Sequence, residues 1–146
     1  MKTAFQRVLV TTAATAMVTV AGGQGTASAG TQWVNDDFNV CVDQACTMSV
    51  GGTITWLNRS AQVDGAVLNN VADSTATAYF DAFAGSTKVD GMRVPAVREP
   101  GSKYPLMVEF DVPIGDPAVV GGIDRIRIQI CSSVKRCSVQ WNEIRD

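Results

Sequence analysis

Arg125-Ile126-Arg127-Ile128-Gln129-Ile130 decides the fold class. Three isoleucines alternate with three polar residues, which is the period of a half-buried β-strand and not of a helix. Leu106-Met107-Val108-Glu109-Phe110-Asp111-Val112 repeats the pattern upstream. So do Ile54 and Trp56 between Thr53 and Thr55, and Phe38, Val40 and Val42 between Asn39 and Cys41. Thr75 to Phe83 differs, with Tyr79 and Phe83 on one face and Phe80 and Ala82 on the other. Two apolar faces predict a central strand covered on both sides.

Turn signals separate these runs. They include Asp43-Gln44, Asn58-Arg59-Ser60, Asn69-Asn70, Gly85-Ser86 and Gly121-Gly122; Pro113-Ile114-Gly115-Asp116-Pro117 is expected to break the strand that starts at Leu106, and the long irregular stretch is expected from Pro95 to Pro105. No stretch sustains a helical period. About seven or eight short strands at a spacing of roughly ten residues predict an all-β chain. The expected fold is a single antiparallel β-sandwich with Greek-key connections, Ig-like or jelly-roll-like; a small barrel fits almost as well. The expected core is Ile54, Trp56, Val67, Phe80, Leu106, Val108, Phe110, Ile126, Ile128, Ile130 and Val139.

The first residues read differently. Lys2 and Arg7 are followed by an uncharged run from Val8 to Ala21, then Gly22-Gly23-Gln24 and Ala27-Ser28-Ala29. That is the layout of a secretory signal peptide over 1–29, too short and too rich in Thr to anchor the chain in a bilayer. The expected organisation is the signal peptide over 1–29, an extended N-terminal segment with the first disulfide loop over 30–49, and the sandwich over 50–146. The expected destination is extracellular, without a membrane anchor.

Four cysteines, Cys41, Cys46, Cys131 and Cys137, fit that destination. The favoured pairing is Cys41–Cys46 with Cys131–Cys137, two short loops; the alternative joins the ends of the domain. A zinc site is the competing reading, disfavoured by the loose spacings and the oxidising destination.

The 146 residues contain no His, 12 Lys plus Arg and 14 Asp plus Glu, a formal net charge of −2. Without His, Ser-His and Cys-His nucleophile systems are excluded. A weakly acidic chain argues against nucleic acid as a partner. Glu109 and Asp111, roughly 7 Å apart on one strand face, are the only hydrolase-like pair, and a solvated strand face explains them better. Asn35-Asp36-Asp37 resembles a fragment of a calcium loop without its remaining ligands. No cofactor and no metal are expected. Arg125 and Arg127 either recognise a carboxylate or shield an edge strand. In the polar stretch before the first strand pattern, Trp33, Val34 and Phe38 are candidate anchors for a protein partner.

The signal peptide, Thr53-Ile54-Thr55-Trp56-Leu57-Asn58-Arg59-Ser60, Ala78-Tyr79-Phe80-Asp81 and Gly121 to Ile128 together resemble small secreted actinobacterial β-sandwich proteins. Within that group the outline is similar to the adaptor subunits of secreted umbrella toxin particles. The resemblance implies a non-catalytic adaptor linking a lectin subunit to a large repeat-containing toxin, with an N-terminal segment inserted in a partner. A carbohydrate-binding module, with Trp33, Tyr79, Tyr104 and Trp141 as sugar platforms, is the first alternative. An enzyme inhibitor using the Ser132–Arg136 loop is the second.

Overall fold

The computed structural model describes residues 33–146, so the signal peptide expected over 1–29 and residues 30–32 lie outside the described part. Eight antiparallel strands form two four-stranded sheets. The first sheet has the order β1 (Asp36–Cys41), β2 (Met48–Trp56), β3 (Ala61–Asn69), β6 (Leu106–Ile114). The second has the order β5 (Thr87–Arg98), β4 (Ser74–Ala84), β7 (Arg125–Ser132), β8 (Trp141–Ile144). The chain crosses between sheets after β3, β5 and β6, which is a Greek-key path. Among the described residues there is no helix, and none long and apolar enough to cross a membrane.

Period-two alternation does the packing. Ile126, Ile128 and Ile130 are fully buried, and Ile54, Val63, Val67 and Phe80 join them between the sheets. At the centre, Phe80 of β4 reaches across to Phe38 of β1 and Phe110 of β6, with ring centroids 5.9 and 5.4 Å away. Phe38 and Phe110 flank Gly52 of β2 and Gly65 of β3, which are register partners of each other. The two glycines let the strands approach so closely that a Cβ at Gly52 would stand 2.0 Å from the Asp64 carbonyl oxygen. The large ring of Phe80 thus lies opposite a floor that carries no side chain.

Four expectations need correction. β1 and the first residues of β2 fall in 30–49, yet they pair in register from Asp36↔Ile54 to Cys41↔Ser49, so the sandwich begins at Asp36 and not at residue 50. β5 continues through Pro95 to Arg98, and β6 continues through Pro113 to Ile114. Both are edge strands, where a missing N–H interrupts no ladder. Arg125 and Arg127 lie on β7, which is internal, so they shield no edge.

Val139 is the fourth correction: it is 79% exposed. The Cys131–Cys137 closure sets Cys137 opposite Cys131 and Ser138 beside Ile130, so Ser138 takes the buried seat. Ser138 Oγ accepts from Ile130 N–H at 3.1 Å and donates to the Val139 carbonyl at 2.8 Å. Further on, Trp141 pairs with Ile128, one residue out of step with the Cys131–Cys137 pairing. Such a slip exchanges the two faces of a strand. It turns Trp141 toward the inner side.

Candidate functional site

The β1–β2, β3–β4, β5–β6 and β7–β8 connections all meet at one end of the sandwich, and two of them are closed by disulfides. Cys41–Cys46 and Cys131–Cys137 are both local pairs, as the favoured pairing had it. Disulfides of this kind suit an oxidising environment.

Each loop is held by its own short-range chemistry. In the first, Asp43 accepts from Thr47 N–H at 3.1 Å and from Thr47 Oγ1 at 2.6 Å. The Thr47 hydroxyl, then the Thr47 amide, hold the Asp43 carboxyl below its ordinary range. In the second loop, Ser132 N–H donates to Arg136 O at 2.8 Å and Lys135 N–H to Ser132 O at 3.0 Å. Ser133 N–H donates to Thr75 O at 2.8 Å, tying that loop to β4. Asn69 builds the β3–β4 turn between them. Fully buried, it donates to Ser74 O and Ala96 O at 3.0 Å each and accepts from Val71 N–H at 3.0 Å. Arg98 donates to Asn70 O and to Ser102 O, fixing the β5–β6 loop to the same turn.

Between the two disulfide loops and this turn lies a cleft of about 290 Å³. Val42, Met48, Val71 and Val134 supply its apolar lining, with Asp43 and Asp73 as acids and Arg136 as the base. Sequence reading missed this cleft, because no single stretch forms it. Asn69, the one side chain that bonds three segments there, read only as half of an Asn-Asn turn.

The opposite end carries the N-terminal candidates. Trp33 is half-buried, packs against the core and lies under the Arg145 guanidinium, 4.6 Å from its ring centroid. Arg145 also donates to Leu57 O, Asn58 O and Gly121 O at 3.4, 3.1 and 3.1 Å, so it clamps this end together. Phe38 is a core residue of β1 at 4% exposure. Its role as a partner anchor is therefore corrected: its apolar face is already spent against Phe80. Val34, at 73% exposed, is the one member of the trio free to meet another molecule.

Comparison with protein-family models, with curated proteins and with solved structures finds no match. Chemistry must therefore be read from the side chains themselves.

Glu109 and Asp111 stand on the outer face of β6, with Asp64 of β3 in register opposite Asp111. They rim a shallow depression floored by Gly51, Gly65 and Ala66. Gln62 Nε2 already donates to Asp111. Glu109 and Asp111 project from the same strand to the same side, and no element is built over them to hold a substrate between. Asp36 accepts from Trp56 Nε1 and Asp37 accepts from Thr53 Oγ1 at 2.7 Å; the two carboxylates lie on opposite faces of β1 and do not converge. Among the described residues no group of three or more metal-ligating side chains is gathered.

Arg127 does recognise a carboxylate, that of the chain's own Asp81, at 2.6 Å. Burial pushes the Asp81 carboxyl up, but the hydrogen bonds from Lys88 and Arg127 outweigh it and hold it low. Arg125 and Arg127 also roof Phe83, 4.4 and 5.0 Å from its ring centroid, which explains how an aromatic on the outer face is buried.

The exposed aromatics do not form a sugar platform. Tyr79 pairs with Gln129 on the outer face of the second sheet, Trp141 pairs with Ile128 on the inner face, and Tyr104 lies in the β5–β6 loop. The Ser132–Arg136 loop does not present an extended segment either, since Lys135 adopts φ 60° inside a tight turn. An inhibitory loop that lies along an enzyme cleft is extended.

Proposed function

We propose that this chain is an exported, non-catalytic protein-binding adaptor that joins larger secreted proteins, with a lectin and a large repeat-containing toxin as the partners its sequence resemblance suggests. The observation that carries this reading is the cleft at the disulfide end. Its walls are short loops closed by Cys41–Cys46 and Cys131–Cys137, and its lining mixes apolar side chains with two acids, Asp43 and Asp73, and one base, Arg136. Loops rigidified before binding lose little entropy on docking, which favours recognition of a partner over flexible accommodation. Asp43 and Asp73 against Arg136 suit a segment that carries both signs with the basic one in excess. Export by cleavage after Ala29 belongs to the same proposal, and the disulfides support it.

The test uses the full chain with its first 29 residues intact and an affinity tag after Asp146. N-terminal sequencing of protein from the medium is expected to begin at Gly30, and larger secreted proteins are expected to co-purify. Val134→Glu and Val71→Glu place charge in the cleft at exposed positions and leave the core untouched. They are expected to release the partners. Recovery of the free monomer alone from its native medium, or partners retained by both variants, would refute the reading.

A further inference from the structure

Two edges of the sandwich are blunted and a third is not. β5 and β6, stacked along one side, carry Pro95 and Pro113. Proline on an edge strand discourages further pairing. On the opposite side β1 ends the first sheet and carries no proline. Its backbone polarity follows from the ladder. Val42 N–H donates to Met48 O, so Val40, Phe38 and Asp36 point their amides and carbonyls at β2. The N–H and C=O groups of Asp37, Asn39 and Cys41 therefore face outward, three donors and three acceptors along an edge that pairs with no other strand among the described residues.

The second sheet extends one strand further than the first on this side. β1 faces β7, while β8 lies one strand farther out. Trp141 faces inward from β8, opposite Ile128 and at the level of Phe38 and Phe80, yet it is 48% exposed. An inward-facing tryptophan half open to water marks a vacant place in the layer above it. A strand hydrogen-bonded to β1 at the usual interstrand spacing of about 4.8 Å would lie over β8 and cover this ring.

We propose that the free edge of β1 and the inner face of Trp141 together accept one extended strand from a partner protein, with apolar side chains turned in and basic side chains turned out. This deepens the adaptor reading and rests on it. The occupant is a foreign strand for two reasons. After cleavage at Ala29 only residues 30–32 precede Trp33, about 10 Å of chain, and Trp33 is held under Arg145, so the mature leader is too short to turn back along β1. The edge is also acidic: Asp37 stands on the outer face, where the basic side chains would lie, Asp36 and Glu143 border it on the inner side, where they accept from Trp56 Nε1 and Trp141 Nε1, and neither strand carries a basic residue. Two copies would bring two acidic edges together, whereas a basic strand is attracted.

The probe is an acetylated, amidated hexapeptide of alternating lysine and valine, with the glutamate–valine peptide as control, added to the mature full-length protein. The lysine peptide is expected to slow hydrogen exchange at the Asp37, Asn39 and Cys41 amides and to shift tryptophan emission to shorter wavelength. The emission shift is expected to vanish in Trp141→Phe. Asn39→Pro removes an outward N–H and leaves the β1–β2 ladder whole; it is expected to weaken binding by at least roughly tenfold, with the glutamate peptide equally poor. Absence of binding, equal binding of the two peptides, or binding indifferent to Asn39→Pro would overturn the proposal. So would a concentration-dependent dimer abolished by Asn39→Pro, which would assign the edge to a second copy. If secreted partners co-purify equally with Asn39→Pro and the unaltered protein, the strand site fails and the adaptor reading stands. If the lysine peptide binds as described and no partner co-purifies, the edge stands and the adaptor reading fails.

Discussion

Gly52→Ala tests the closest approach in the molecule. The added methyl carbon would stand 2.0 Å from the Asp64 carbonyl oxygen and 2.8 Å from the Gly65 Cα. A carbon–oxygen contact without repulsion needs about 3.3 Å. The clashing atoms are backbone, so no rotamer change relieves them, and β2 and β3 must part by about 1.3 Å, roughly a quarter of the interstrand spacing. Parting them also disturbs the Phe38–Phe80–Phe110 stack above. Overpacking alone costs about 1–3 kcal/mol, and loosening part of a buried aromatic contact adds about 1 kcal/mol. The expected destabilisation is about 3 kcal/mol, and Gly65→Ala, 2.2 Å from the Gly51 carbonyl oxygen, should match it. Urea denaturation followed by tryptophan fluorescence reads this as a midpoint lowered by about 1.5–2 M at a slope near 1.5–2 kcal/mol/M. Two controls separate crowding from general intolerance of alanine. Gly51→Ala meets nothing closer than 3.3 Å and should lose under about 1 kcal/mol. Gly85→Ala has nothing within 4 Å but sits at φ +59° and should lose about 1 kcal/mol to backbone strain alone. A Gly52→Ala midpoint equal to that of Gly51→Ala would refute the close-approach argument.

Three further outcomes follow from the side-chain contacts. Asp81 has a lowered pKa in the folded state, so its contribution to stability is present above the unfolded carboxylate value of about 4 and is lost as pH falls through the folded one. Asp81→Asn should be destabilised at pH 7 and show a shallower loss of stability on acidification below about pH 4 than the parent, measured by urea midpoints across pH. Arg145→Ala removes three carbonyl contacts and the cover of Trp33; a loss of about 1–3 kcal/mol is expected, with Trp33 emission moving to longer wavelength and no recovery in Arg145→Lys. Replacing either cysteine pair by serine opens loops with sequence separations of only 5 and 6. Each should cost about 2 kcal/mol and leave far-ultraviolet circular dichroism β-rich, because the sheets do not depend on a closure between distant segments.

The all-β class, the central position of β4 and the two local disulfides were legible in the residues. Alternation such as Ile126-Arg127-Ile128-Gln129 is a property of neighbours along the chain, and it states which face is buried before any partner strand is known. Cysteines five and six apart are also neighbours in that sense. The strands through Pro95 and Pro113 were less legible, because proline breaks an internal strand and not an edge, and edge position is a matter of the sheet. Val139 read as core, but the pairing of Cys137 with Cys131 gives the inner position to Ser138 and turns Val139 outward.

What the chain order alone determined is local: period, turn chemistry, the spacing of the cysteines and the absence of His. What only the folded molecule decided is which distant segments meet. It set Gly52 against Gly65 opposite Phe80, gathered two disulfide loops and Asn69 around one cleft, and left Trp141 facing inward beside an unpaired β1. Pairing between strands is settled by the joint packing of both layers, and no single stretch contains that sum.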